Sequence, residues 1–163
     1  MTVEMQQCAV EIRNCWMQCD LALKEGNADG ANNAFGRVFE VVDTFPALHE
    51  EDTWALRFLC VLTWVKVAAA LDATGQSDSA EAARQQIFTV LDEMVESWPN
   101  GPSAGWSSLV YAQGLESEES ADLVGRLYLL CSKAGRPDAL FWGRCFMEFD
   151  RKVHGEDGSP VVN

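Results

Sequence analysis

The sequence predicts an all-α fold built as three stacked helical hairpins. Three observations carry this. Apolar residues recur at threes and fours through several long segments, and no segment shows sustained alternation of β-branched residues. A turn glycine followed by Phe, two residues, an apolar residue and Asp occurs three times, as Phe39-Glu-Val-Val-Asp43, Phe88-Thr-Val-Leu-Asp92 and Phe146-Met-Glu-Phe-Asp150. Gly26 lies 13 residues before the first Phe, Gly75 lies 13 before the second, and Gly135 lies 11 before the third. Finally, 163 residues of which 48% are hydrophobic and 23% charged can bury a full core without staples. A lone hairpin cannot bury its apolar face, whereas three stacked hairpins share one continuous core.

Each element follows from local chemistry. Met5, Cys8, Ile12, Cys15, Cys19 and Leu23 fall within about 80° of helical arc, which predicts a first helix over 3–25. Gly26 and the turn chemistry of Asn27–Gly30 stop it. The second helix spans 31–44, ahead of Phe45-Pro46. The acidic cluster Glu50, Glu51, Asp52 suits the positive end of a third helix, which runs to Thr74 and is apolar nearly all round, with Trp64 as its core keystone. Asp78 and Glu81 have capping-box spacing and open a fourth helix ending near Ser97. The stretch Trp98–Gly105 is the strongest loop signal, and Trp106–Gln113 reads as a short helix. A helix over 117–134 follows, and Pro137 fits the first turn of the last helix, which ends near Lys152. Residues 1–153 read as one helical domain and 154–163 as a disordered tail.

Charge narrows the partners. Twelve basic residues against 25 acidic ones leave a net charge of −13. That balance argues against nucleic acid and against an anionic membrane, both of which need Lys and Arg, and favours a basic protein partner. The apolar stretch Trp54–Leu71 is interrupted by Arg57 and Lys66, and the N-terminus lacks a basic segment followed by an apolar run. Six cysteines at 8, 15, 19, 60, 131 and 145 form no C-x-x-C pair and sit in apolar segments, which predicts free thiols, no disulfide, and a reducing, cytoplasmic setting.

No constellation names a reaction. Cys8, Cys15 and Cys19 share a face but span about 16 Å of helix, too far for one metal ion, so no metal or other cofactor is expected. His49 and His154 lack a nucleophile at a recognisable spacing. The carboxylate pairs Glu50/Glu51 and Glu118/Glu119 sit at helix starts, where caps and solvated faces outnumber acid–base dyads. Gly101–Gly105 lacks the Lys and the strand of a phosphate loop. Trp98 and Trp106 flank that loop, either stapling it to the helices or serving as interface anchors.

Trp64, Val67, Ala68, Leu71, Gly75, Ala80 and Ile87 follow the order large knob, apolar, small, apolar, turn glycine, small, apolar. This stretch, over residues 64–94, resembles a tetratricopeptide repeat. The first unit is similar from Gly26 onward through Ala31, Phe35 and Val38, and the third keeps Leu127, Cys131 and Gly135. Arg84 stands where the family has an aromatic, Tyr128 takes the small position, and the spacings of 49 and 58 residues exceed the family's period. The resemblance implies a right-handed array whose concave face is lined by the first helix of each hairpin. Carried over position by position, that face comprises Arg13, Trp16 and Asp20, then Leu62, Val65, Ala69 and Asp72, then Asp122 and Leu129. It implies a non-enzymatic protein that binds another protein or peptide carrying basic segments. Size, acidity and hairpin number are similar to the tetratricopeptide-type chaperones of bacterial type III secretion. An immunity protein or antitoxin capping a basic toxin is the alternative, and an enzyme with an unrecognised helical site a third. Self-association as a homodimer is compatible with the same architecture.

Overall fold

Three glycines take a left-handed conformation that other residues avoid, with φ of 71° at Gly26, 76° at Gly75 and 67° at Gly135. Each closes a helix with the same pair of backbone hydrogen bonds. Gly26 N–H donates to Leu23 O and Asn27 N–H to Ala22 O; Gly75 and Gln76 repeat this onto Asp72 and Leu71, and Gly135 and Arg136 onto Ser132 and Cys131. This satisfies the carbonyls that a helix end leaves open and turns the chain back along itself.

The structure, a computed structural model, describes residues 3–46, 50–96 and 118–155. These form six helices with no strand among the described residues: α1 (Val3–Lys24), α2 (Ala28–Thr44), α3 (Glu50–Ala73), α4 (Ser77–Glu96), α5 (Glu118–Lys133) and α6 (Ala139–His154). They pair as three hairpins, α1 with α2, α3 with α4 and α5 with α6. The loop over 98–105, the short helix expected at Trp106–Gln113 and the tail from 156 lie outside the described residues. The chain divides into two compact units, Met1–Arg84 and Gln85–Asn163.

Local differences from the sequence reading have plain causes. α2 starts at Ala28 because Asn27 caps it, its Oδ1 accepting from Gly30 N–H at 2.9 Å. α4 starts at Ser77, so Asp78 lies inside its first turn, and Glu81 pairs with Arg84 at 2.9 Å. Pro137 precedes α6 rather than sitting in its first turn. That helix continues to His154, where Gly155, at φ 88°, ends it, so the tail does not begin at His154.

In the first unit, the predicted α1 stripe of Met5, Cys8, Ile12, Cys15 and Cys19 is buried. Ala9, Trp16 and Ala22 are buried with it, which widens the covered arc to about 140°. The extra width arises because α1 packs on α3 as well as on α2. Trp16 is fully buried and its Nε1–H donates to Thr63 Oγ1 at 2.9 Å, while the Thr63 hydroxyl donates to Leu59 O at 2.7 Å. Lys66 of α3 reaches Asp20 of α1 at 2.7 Å. Trp64, expected as the keystone, is only half-buried and rests on Phe39 with ring centroids 4.9 Å apart.

Arg84, the residue that departs from the repeat resemblance, spans the second hairpin and meets Asp72 of α3 at 2.8 Å. In the second unit, Arg136 gathers the turn between α5 and α6. It bonds buried Asp138 at 2.9 Å and Asp92 of α4 at 2.7 Å, and lies 5.3 Å over the Phe88 ring. Asp138 also accepts from Trp142 Nε1–H at 3.1 Å. Tyr128 is accommodated because α6 places a small residue against it: a Cβ on Gly143 would stand 3.1 Å from its ring. Reciprocally, a Cβ on Gly125 would stand 2.9 Å from Phe146.

α3 is long and apolar enough to cross a membrane by length and composition, and 56% of that stretch is buried inside the protein.

Two paired substitutions test this account. Nothing lies within 4 Å of a Cβ built at either Gly26 or Gly36, so only backbone conformation separates the two sites. Gly36→Ala, inside α2, should raise stability by about 0.5–1 kcal/mol, whereas Gly26→Ala should lower it by about 1–2 kcal/mol, both read from urea unfolding. Trp16→Ala should cost about 3–5 kcal/mol, the range for a buried aromatic, and Trp64→Ala clearly less, read from the same curves.

Candidate functional site

The turn of the first hairpin and the C-terminal half of α3 enclose an open cleft of about 80 Å³. Small residues make it. Ala28 and Ala31 on α2 and Ala70 on α3 leave room where larger side chains would close the gap. Its floor is apolar, formed by buried Phe35 with half-buried Leu23, Val67 and Leu71. Cys19, Ala22, Ala31, Ala34 and Phe35 form a buried core cluster, against which Leu23 and Val67 pack. The rim is polar and exposed, with Asn32, Thr74 and Gln76. Gln76 Nε2 donates to Thr74 Oγ1 at 2.9 Å, and that hydroxyl donates to Ala70 O at 3.1 Å.

Size limits what such a cleft takes. Pockets for metabolites and cofactors run to roughly 300–1,000 Å³, and a cavity of about 150 Å³ already accommodates benzene. A cleft of about 80 Å³ fits the tip of one aliphatic side chain. Carboxylates adjoin it in sequence, Asp29 beside Ala28 and Asp72 beside Leu71, both exposed.

The residues expected on a concave face differ in their exposure. Trp16, Leu62 and Val65 are core side chains, 0%, 0% and 2% exposed, so they offer no floor to a partner. Helical spacing identified their shared direction but not the neighbour that covers it. Ala69 and Arg13 are half-buried, and the Arg13 Nε is itself buried. Asp20 and Asp72 are tied to Lys66 and Arg84. Asp122 and Leu129 on α5 are exposed, with Asp122 paired to Arg126 at 3.1 Å. The cleft residues Asn32, Ala70 and Thr74 carried no signal of their own; the alanine run 68–70 and the repeat positions Ala31, Phe35, Val67 and Leu71 were the available hints.

All six cysteines are free thiols. Burial, then the nearby Glu11, pushes Cys8 up to about 11. Burial first, with Asp43 and Asp138 adding respectively, pushes Cys60 and Cys131 up to about 12. Burial also raises Cys15 and Cys145. These groups are held as neutral thiols, poor nucleophiles and poor ligands at neutral pH. Among the described residues, no three His, Cys, Asp or Glu side chains converge to hold a metal ion.

Compared with family models, curated proteins and solved structures, the chain shows no match.

The thiols set an alkaline limit on stability. In the unfolded chain they ionise near pH 9, in the folded chain only near 11–12 where the value is resolved, so the folded state holds more protons between these limits. Their contribution is complete below about pH 9 and is lost as pH rises toward the folded values. The urea midpoint should therefore fall between pH 8.5 and pH 10.5, and a Cys60→Ala, Cys131→Ala variant should lose less over the same interval.

Proposed function

We propose that the chain is a non-enzymatic polypeptide-binding protein that shelters an apolar side chain of a partner with basic flanks. The observation that carries the reading is the cleft between the first hairpin's turn and α3, apolar within, polar at the rim and sized for one aliphatic side chain. The charge of −13 supports a partner bearing Lys or Arg, because such a field speeds encounter and biases choice. A chaperone for a segment of another protein is the form of this activity that fits best, since one anchor pocket in an acidic helical surface suits an extended or helical segment.

Peptides carrying one Leu or Ile between Lys- and Arg-rich flanks test the reading. Their affinity for the intact chain, followed by fluorescence anisotropy, should be micromolar and fall at least tenfold in Ala70→Phe, which fills the cleft from a half-buried position. Raising salt should slow association more than dissociation. Binding unchanged by Ala70→Phe in a variant with wild-type circular dichroism removes the cleft from the function. Tight binding of one folded basic protein, insensitive to Ala70→Phe, would favour the immunity-protein alternative.

A further inference from the structure

α1 is apolar on two opposite faces. One is the buried stripe; the other carries Val3, Val10, Met17 and Leu21, which are 65%, 53%, 60% and 53% exposed. At about 100° per residue, the mean directions of the two sets lie about 175° apart. The outer set is spaced seven, seven and four, as along a coiled-coil seam, and exposed Gln7 and Asn14 fill the alternate seam positions. No charged residue stands on that strip between Val3 and Leu21. Glu4 and Glu11 lie along one border, Arg13 and Asp20 along the other.

We infer that this strip is a homodimer seam, at which two copies of the chain meet α1 to α1 across a two-fold axis. Charge selects the occupant. Two copies at −13 each repel wherever carboxylates dominate, and an uncharged strip is where they can meet. A basic partner is drawn to carboxylates and gains nothing from neutral amides. A lipid surface asks for Lys and Arg beside the apolar face, and here Arg13 and Arg37, which bonds Gln18, are offset by Glu4, Glu11 and Asp20. Area agrees. The four apolar side chains expose roughly 400 Å² per copy, so two copies with their flanking amides remove about 1,000 Å², the lower end of specific interfaces. Asn14, a neutral polar residue mid-seam, fixes register in the way a buried seam Asn does in helical dimers. The isologous contact uses one patch twice and closes without further growth.

Sedimentation equilibrium of the intact chain from 1 to 200 µM tests this. A dimer is expected, and its dissociation constant should fall several-fold between 0.05 and 0.5 M NaCl, because screening removes repulsion between like-charged copies. That salt response is opposite to the one expected for a basic partner. Met17→Glu should weaken the dimer at least 100-fold while leaving circular dichroism and melting unchanged, since the side chain is exposed. Asn14→Cys should cross-link two copies under mild oxidation, giving a doubled mass that reductant reverses. A chain monomeric at 200 µM in both salts overturns the proposal, as does a Met17→Glu variant that dimerises like wild type. Loss of a different partner by Met17→Glu in a monomeric chain would assign the strip to that partner instead. Ala70→Phe leaves this dimer intact, so failure of the seam and failure of the cleft are separable.

Discussion

Everything in this fold depends on a chain reversal that only glycine makes without strain. At Gly26, Gly75 and Gly135 the backbone enters the left-handed region, and each glycine and the residue after it return their N–H groups to the last turn of the helix behind. The reversal fixes the phase of the second helix relative to the first. That phase then decides where the recurring Phe points. Phe39 meets Trp64 at the start of the following hairpin's partnership, and Phe88 lies beneath Arg136 of the next turn. Phe146 packs instead on Gly125 of its own hairpin. The same residue type thus meets three different local partners, across hairpins at Phe39 and Phe88 and within one at Phe146.

Large side chains at the close contact of α5 and α6 are answered by small ones across it. Tyr128 is too large for a close helix approach, and α6 answers it with Gly143; Phe146 is large in return, and α5 answers it with Gly125. Close packing is conserved as a sum of volumes across the contact, not as an identity at a position. Arg84 similarly exchanges apolar packing for two carboxylates, Asp72 and Glu81, and so ties α3 to α4 through charge.

Sequence periodicity made the helices, the α1 stripe and the glycine turns legible because these are local: a stripe needs only the chain's own 3.6-residue repeat. It failed at Trp16, Leu62 and Val65 for a reason of the same kind. Direction on a helix says which residues share a face, and exposure depends on how many neighbours cover that face. α1 touches both α2 and α3, so its buried arc extends past the stripe and takes in Trp16. Trp64 failed in the opposite sense: its size suggested a core anchor, yet it lies at a junction with Phe39 and keeps part of its surface. The cleft was illegible because it is made by what alanines omit, and an absence of side-chain volume becomes a feature only when another helix faces it.

Charge is distributed by the same economy of neighbours. Lys66, Arg84 and Arg136 have side chains only 12%, 23% and 15% exposed, and each links two elements: α1 to α3, α3 to α4, and α4 to the turn before α6. Three of only twelve basic residues therefore work inside junctions. Their carboxylate partners Asp20, Asp72 and Asp92 remain 47%, 51% and 70% exposed, so the negative end of each pair faces solvent while the positive end is covered. Such pairs add little to stability through their exposed partner, but they orient the field outward and make the surface more acidic in effect than a count of charges suggests. Within that field the outer face of α1 carries no charge, because Gln7 and Asn14 stand between its apolar residues.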